Sequence, residues 1–564
     1  MARKDNAEDA STEIASVTAM KFSELANVYD EISKARNDAA RVRSLVNAFQ
    51  NAKGETLKAI AHFTFGELVP PELNGQLGIG PGAIRQQIAE LAGKDASEID
   101  EEVRETGDMS EIAAEYADGK DKLAVDEIWK LLQQTIAKDN SRDEMLAYIF
   151  HNTTSVGVKY FTRMAINQMR LNVGLGTMTR AIAKAFNVEP KAVEHLYAMT
   201  NDIGFTALQA RKGEKALEHS GLSLFHPYQF MNANKIDDPD AIIPSDKPSK
   251  KNWILETKYD GIRLQIHVQK KPWKVVLYSR RLNDDTGSMP DVVEAIKKAW
   301  RGRDAIIEGE AVAFDPSLKR RLPFQAVLQR LGRKHSVAKM IDEIPLVVFL
   351  FDVLFDNGES LMNVGQSDRR ARLEKLSQPT AKVQLTDSKV TNKRSVMDGF
   401  FRSAVKAGQE GIMVKDPDAV YVPGRRTDKW MKLKPAFETL DVVIVGGVWG
   451  SGRRKGLLSS LVVAVRGADD ELLTVGKVGT GFSEVTLRDL TDRLKPRIIT
   501  TKGHIVEIEP EILIEVDFQD IQKTNRYRAG YVLRIPRFKR ERPDKSVKES
   551  DDLKRLKRLY DQSH

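Results

Sequence analysis

Glu256-Thr257-Lys258-Tyr259-Asp260-Gly261-Ile262-Arg263 holds a lysine two residues before an Asp-Gly pair, with an arginine just beyond it. Upstream, Trp253-Ile254-Leu255 reads as strand. Downstream, Leu264-Gln265-Ile266-His267-Val268 alternates apolar and polar residues, the pattern of a half-buried strand. Asp-Gly between two such runs predicts a hairpin-type reversal. The lysine then stands at a strand end, with a carboxylate and a guanidinium nearby. An amine is nucleophilic only without its proton, and desolvation and neighbouring cations lower its pKa toward that state. A lone lysine beside a turn is most often a solvated charge. The four fixed residues of Lys-x-Asp-Gly-x-Arg, by contrast, arise by chance in about one chain of this length in a hundred.

The totals narrow the field. A chain of 564 residues predicts several domains, each with room for its own core. The net charge of +8 and a pI near 9.1 favour an anionic partner, although plain solubility explains them equally well. There is no cysteine, which excludes disulfides, thiolate zinc sites and cysteine catalysis and fits a reducing compartment. The first ten residues lack an apolar signal region, and no run reaches membrane-spanning length. A soluble, intracellular, cytoplasmic protein is therefore expected.

Along the chain, residues 1–220 read as an all-α domain. Phe22-Leu25-Val28-Tyr29-Ile32, Val42-Leu45-Val46-Phe49 and Ile128-Leu131-Leu132-Ile136 all repeat at helical spacing. Within 161–178 a helix gives way to a glycine-containing turn, and a second helix follows over 180–186. The turn N–H groups around Gly174 and Thr177, together with Arg170, are suited to a backbone phosphate, although a glycine helix stop is also an ordinary structural device. Loop residues such as Pro244-Ser245-Asp246-Lys247-Pro248 lead into a second domain, 221–436. Short strands over 274–278, 305–307, 346–351 and 411–414 mix there with helices over 291–300 and 397–407. Strands follow strands without regular crossovers, which predicts α+β with antiparallel sheets. The third domain, 437–564, reads as nearly all β, with strands over 441–447, 461–466, 471–477 and 513–518. Gly446, Gly447, Gly450, Gly452, Gly456, Gly479 and Gly481 mark its corners, as in a Greek-key barrel of the OB-fold type. A tail helix places Leu553, Leu556, Leu559 and Tyr560 on one stripe that must pack onto something.

The middle domain carries the remaining chemistry. Ser279-Arg280-Arg281 supplies guanidinium groups. Glu308-Gly309-Glu310 sets two carboxylates around a glycine. Phe349-Leu350-Phe351-Asp352 offers an aromatic face for a base. Glu410-Gly411-Ile412-Met413-Val414-Lys415 places another carboxylate at a strand start. Arg425-Arg426 precedes Trp430-Met431-Lys432-Leu433-Lys434, whose two lysines share one strand face. Taken singly, each has an ordinary explanation in core packing or a solvated face. Together they hold what nucleotidyl transfer requires: an amine nucleophile, carboxylates for a hard metal, a stacking ring and cations for phosphate.

Lys258-x-Asp-Gly-x-Arg263, Glu308-Gly-Glu310, Phe351-Asp352, Glu410-Gly411 and Lys432-x-Lys434 resemble the nucleotidyltransferase motifs of the ATP-dependent DNA ligases, in their archaeal and eukaryotic replicative type. Leu533-Arg534-Ile535-Pro536-Arg537-Phe538 and Arg542-Pro543-Asp544-Lys545 are similar to that family's last motif. The resemblance runs from about residue 150 to the end and is weaker before it. It implies that Lys258 attacks the α-phosphate of ATP and carries AMP. The AMP then passes to a 5′-phosphate at a nick in double-stranded DNA, where the 3′-hydroxyl displaces it. The resemblance also implies adenine contacts from Glu256 and Phe351 and a ribose contact from Glu310. Nucleotide and phosphate contacts would come from Arg263, Arg280, Arg426 and Lys432, with further phosphate contacts from Lys434, Arg534 and Lys545. Glu310 and Glu410 would position Mg²⁺. DNA would be held through its phosphates, with affinity falling as salt rises. A monomer is expected. A sliding clamp is an open partner for which no clear binding peptide is visible.

Two departures stand out: Ile535 where phenylalanine is common, and Arg542-Pro543-Asp544 where two acidic residues usually precede the lysine. An mRNA capping guanylyltransferase shares the lysine motif and the OB domain, but the long helical N-terminal region argues against it. A DNA-clamping protein with a dead nucleotide fold would lack a reacting group, and none is missing.

Overall fold

The computed structural model describes residues 20–563 apart from 71–76, 118, 138–141, 220, 237, 316–319, 323, 334, 436–438, 451–453 and 455. Residues 1–19 and Gly452 therefore lie outside the described residues. The chain divides into two compact units, one ending at Lys434 and the other beginning at Pro435.

Among the described residues no strand precedes Asn232. The helix Phe22–Lys34 buries Phe22, Leu25, Tyr29 and Ile32, and the helix Asp38–Gln50 buries Val42, Leu45, Val46 and Phe49, as their 3.6-residue spacing requires. Asn37 caps the second of these by accepting the Ala40 N–H. His62, fully buried on the helix Gly54–Phe65, ties distant segments together. Its ring stacks on Trp129 with centroids 5.0 Å apart, while Nδ1 meets Glu67 at 2.7 Å and Nε2 meets Asp202 at 3.0 Å. Asp202 also caps the helix Ile203–Lys212 by accepting the Phe205 N–H. Burial alone would lower the His62 pKa, but Asp202 and Glu67 outweigh it and raise it to about 9.

A folded-state pKa above the unfolded one stabilises the protein fully below about pH 6.5, and that contribution is lost as pH climbs through about 9. Denaturant melts at pH 6 and pH 9.5 should therefore differ by about 3 kcal/mol from this residue. A His62→Gln variant should be less stable at pH 6 and lack this component of the pH dependence. An unchanged pH dependence in that variant would refute the assignment.

After the helices the strands begin, in chain order: β1 (Asn232–Lys235), β2 (Trp253–Lys258), β3 (Ile262–Lys270), β4 (Trp273–Tyr278), β5 (Ala305–Asp315) and the short β6 (Arg320–Arg321). β7 (Leu346–Asp356), β8 (Glu359–Ser360), β9 (Val383–Leu385), β10 (Ser388–Thr391), β11 (Gly411–Lys415) and β12 (Arg426–Leu433) complete the first unit. They form two sheets. One has the order β1-β12-β11-β2-β10 and the other β4-β3-β5-β7-β8, with β6 beside β5 and β9 beside β7. All pairings are antiparallel except β1 with β12 and β7 with β9.

This corrects the expected hairpin at Asp260-Gly261. β2 lies between β11 and β10, and β3 between β4 and β5, so both edges of each strand are taken. The Asp-Gly turn passes the chain from one sheet to the other. Nor is β3 half-buried. Gln265 and His267, its polar positions, are fully buried because the segment 225–230 covers that face. Gln265 Nε2 donates to the Tyr228 carbonyl, and His267 Nδ1 accepts from the Phe225 N–H at 3.0 Å. The apolar face of β3, Leu264, Ile266 and Val268, packs with Val292 and Ile296 of the helix Pro290–Ala299.

The second unit is strand-rich: β13 (Thr439–Trp449), β14 (Leu458–Arg466), β15 (Leu472–Val478), β16 (Ile498–Lys502), β17 (Ile505–Ile508), β18 (Leu513–Asp517), β19 (Asp520–Lys523), β20 (Tyr531–Arg534) and β21 (Arg537–Glu541). Seven of these join one antiparallel sheet around β13 and β14, and β19 pairs with β20. The stripe of the tail helix Leu553–Ser563 has an owner. Leu556 and Leu559 are buried in this unit's own core beside Val516, Ile521 and Leu533.

Candidate active site

Strand parity assembles the site. β11 pairs with β2 so that Gly411 faces Lys258, Met413 faces Glu256 and Lys415 faces Ile254. It pairs with β12 so that Met413 faces Lys432 and Lys415 faces Trp430. Residues opposite one another share a face, and so do alternate residues along a strand. Glu256, Lys258, Met413, Lys415, Trp430 and Lys432 therefore project on one side of the first sheet. On the second sheet Arg263 lies opposite Glu310, and Gln265 opposite Glu308. A cavity of about 880 Å³ opens among these side chains. Its walls include Glu256, Lys258, Arg263, Arg280, Glu310, Phe351 and Lys432.

Two glycines permit the approach. A Cβ on Gly261 would stand 2.3 Å from the Ala311 carbonyl oxygen, so only glycine lets the loop after Lys258 lie against β5. Its N–H donates to Glu310 at 3.2 Å. Gly411 has φ +134°, and a Cβ there would sit 2.1 Å from the Leu433 carbonyl oxygen. Gly411→Ala should force β11 off β12 and displace Glu410. We expect nucleotide transfer to Lys258 to fall by on the order of 100-fold and the fold to lose about 1–3 kcal/mol. Labelled-nucleotide transfer and denaturant melts check both, and a silent substitution would contradict this account of the motif.

Burial lowers the Lys258 pKa, and Arg263 and Arg280 push the same way against the carboxylates of Glu310 and Asp260. Lys258 also makes an ion pair with Glu410, which in turn holds Lys434. That pairing favours the ammonium form until Glu410 is drawn elsewhere. Burial raises the Glu310 carboxyl to about 7, against the pull of Lys258 and Arg263.

Arg263 is fixed from several sides. It donates to the Met231 carbonyl at 2.8 Å and to Glu308 at 2.7 Å, and its guanidinium lies over Phe230, 4.6 Å from the ring centroid. Glu308, fully buried, also accepts from Tyr228 Oη at 2.9 Å and Tyr421 Oη at 2.6 Å. Of the two carboxylates around Gly309, then, Glu308 is structural and Glu310 faces the cavity. Phe351 serves both the core and the cavity: it is 9% exposed and meets Trp430 edge-on at 6.3 Å. The next residue, Asp352, forms a fully buried pair with Arg369 at 2.8 Å that anchors β7 behind the ring.

Other expected residues lie elsewhere. Arg426 is exposed at the start of β12, opposite Asn232, and is not among the residues lining the cavity. Arg170 pairs with Asp108 at 2.6 Å, and the Thr177 hydroxyl donates to Asp38 at 2.5 Å. Gly174 is the N-cap of the helix Leu175–Phe186, which begins earlier than the spacing suggested. In the second unit Arg534 ends β20. Lys545 and Arg542 both reach Asp441 at 2.6 Å. Ile535, the departure from the motif, is 48% exposed at φ 49°, a costly conformation for a β-branched residue. Sequence reasoning overlooked Phe230, Trp430 and Lys415 as cavity walls. Lys415 was within reach of it, lying two residues past Met413 and so on the same face.

Among the described residues no helix is long and apolar enough to cross a membrane. Residues 231–434 match the family described as ATP dependent DNA ligase domain. Residues 21–183 match DNA ligase N terminus, and 454–545 match ATP dependent DNA ligase C terminal region. A DNA ligase of Thermococcus fumicolans is 36% identical over 559 residues, spanning 96% of this chain and 98% of that protein. One of Archaeoglobus fulgidus is 35% identical over 556 residues, with the same shares of each. The solved structure named Pmar-Lig_Pre, 18% identical, aligns over 92% of this chain and 99% of that one with a TM-score of 0.56, a likeness of fold.

Proposed function

The chain belongs to the ATP-dependent DNA ligases, and we propose that it seals nicks in duplex DNA with Lys258 as the carrier of AMP. The observation that carries this reading is a desolvated lysine on the wall of a nucleotide-sized cavity whose other walls are arginines, carboxylates and aromatic rings. The Lys258 amine, once deprotonated, attacks the α-phosphate of ATP. The P–N bond forms as the bond to pyrophosphate breaks. AMP then moves to the 5′-phosphate at the nick, and the 3′-hydroxyl displaces it to close the phosphodiester.

In this reading adenine lies against Phe351 with Glu256 at its edge, and Glu310 receives the ribose. Arg263, Arg280 and Lys432 take phosphate charge. Their rigidity matters because donors already in place need no reorganisation when charge develops. Arg426, exposed and off the cavity wall, keeps a phosphate role only if the substrate extends to it. Lys434 acts through Glu410, and Lys545 must exchange Asp441 for pyrophosphate. Arg534 is proposed to orient pyrophosphate as well.

Glu310 and Glu410 offer hard oxygen donors of the kind Mg²⁺ takes beside substrate phosphates. Among the described residues no group of three or more His, Cys, Asp or Glu side chains could hold a metal, so the nucleotide phosphates would complete the shell. When bound there, the ion would neutralise phosphate charge.

We assign DNA binding to residues 1–220, nucleotidyl transfer to 221–436 and completion of the first step to 437–564. Arg170 and the N–H groups after Gly174 are the proposed phosphate contacts in the helical region, where DNA phosphate would compete with Asp108 for Arg170. Such a protein would act in the cytoplasm, in replication, repair and recombination. Incubation with a 5′-phosphorylated nicked duplex, a divalent metal and either ATP or GTP tests the reading. Sealing with ATP is expected, and sealing or protein labelling with GTP alone would overturn it.

A further inference from the structure

The cavity has two unlike ends. Strand order β4-β3-β5-β7 sets Phe351, on β7, at one side and Arg280 and Arg281, just past β4, at the other, with Arg263 and Glu310 between them. At ordinary strand spacing β4 and β7 stand roughly 14 Å apart. Beside the two arginines the wall turns apolar. Leu328, 44% exposed, and Leu331 both line the cavity, and the turn that carries them is fixed to the loop following the arginines. Within that turn the fully buried Arg330 pairs with Asp291 and donates to the Ser288 carbonyl at 3.2 Å and the Ile344 carbonyl at 2.8 Å. The Gly332 N–H donates to Asp285 at 3.0 Å. Two cations and two leucines are thus presented together by a braced segment. A polyphosphate would leave the leucines unused, and a base would leave the guanidinium charges unused. A sugar phosphate matches both.

We propose that this end of the cavity receives the deoxyribose bearing the 5′-phosphate at the nick, with Arg280 and Arg281 on the phosphate and the leucines against C2′, so that Leu328 selects DNA over RNA at that position. This rests on the ligase reading above and adds to it a residue that sets sugar specificity. The sugar attached directly to the 5′-phosphate is the one that reaches the leucines while its phosphate stays with the arginines. At C2′ deoxyribose shows only C–H, which lies against a leucine without penalty. Ribose shows a hydroxyl there, which would lose water and gain no partner. An apolar wall rejects an added hydroxyl by about 100-fold at best. This wall is partly open to water, so a smaller preference of about 10-fold is expected.

The test gives full-length protein, with ATP and Mg²⁺, three nicked duplexes that differ only in the nucleotide bearing the 5′-phosphate: deoxyribose, ribose or 2′-fluoro. Wild type should seal the ribose nick about 10-fold more slowly than the deoxyribose one. The 2′-fluoro nick should close at nearly the deoxyribose rate, because fluorine leaves no donor unpaired although it favours the same sugar pucker as the hydroxyl. Leu328→Ser offers the 2′-hydroxyl a partner and should narrow the gap between ribose and deoxyribose to within about 2-fold. Equal rates on ribose and deoxyribose in wild type would overturn the proposal, and that comparison needs no variant to fold. So would a 2′-fluoro nick as slow as the ribose one, which assigns the preference to pucker, or an undiminished gap in Leu328→Ser. The underlying reading fails differently: wild type would then seal none of the three nicks, or Lys258 would take up no AMP.

Discussion

Lys258→Ala should fold normally, take up no AMP, and seal nicks more slowly than wild type by on the order of a million-fold, the scale seen when a covalent enzyme loses its nucleophile. Folding should survive because Glu410, freed from Lys258, keeps Lys434 as its partner. Lys432 and Lys415 share the cavity wall, but Lys415 is committed to Glu256 and lies beneath the aromatic rings. A nick whose 5′-phosphate already carries AMP bypasses the missing step, so the variant should still close that substrate. Labelling gels and sealing assays on both nicks check the two halves. Residual AMP transfer near the wild-type rate would remove Lys258 from its role.

The second large effect is expected at Glu308, which is not among the residues lining the cavity. Its carboxylate is the common acceptor for Arg263, Tyr228 and Tyr421. Glu308→Ala strands a buried guanidinium and two hydroxyls, and removing one partner of a buried ion pair costs about 3–5 kcal/mol. The loss should also reach the chemistry, because Arg263 would lose its carboxylate partner and keep only the Met231 carbonyl, the Tyr421 hydroxyl at 3.3 Å and its ring contacts. Glu308→Gln retains acceptor capacity for the tyrosines and should fall between the two. Denaturant midpoints read the stability, and KM for ATP in AMP transfer reads the position of Arg263. Wild-type stability in Glu308→Ala would mean that this network adds little.

These two residues also mark what the sequence could and could not disclose. Lys258, Glu310, Phe351, Glu410 and Lys432 were legible because each belongs to a short local pattern in which a glycine or strand parity fixes where the side chain points. The role of Glu308 was not. Tyr228 and Tyr421 lie 80 and 113 residues from it, and nothing local pairs them. The Asp260-Gly261 turn misled for a related reason. Asp-Gly dictates a tight turn, but whether the flanking strands pair depends on which other strands claim their edges. His267 and Gln265 read as solvent-facing because alternation reports polarity, and here a covering segment supplies the polar partners. In the helical region the apolar stripes were plain. The His62 clamp was hidden because Glu67 and Asp202 come together only on folding.

The central claim is that AMP rides on Lys258 between ATP and DNA. Full-length protein would be incubated with α-labelled ATP and Mg²⁺, freed of nucleotide and digested for peptide mapping, with a second portion chased with unlabelled nicked duplex. The account predicts the label on the peptide containing Lys258, lost on chasing as sealed DNA and free AMP appear in equal amounts. Label on another residue, or label on Lys258 that a nicked duplex cannot discharge, would contradict it.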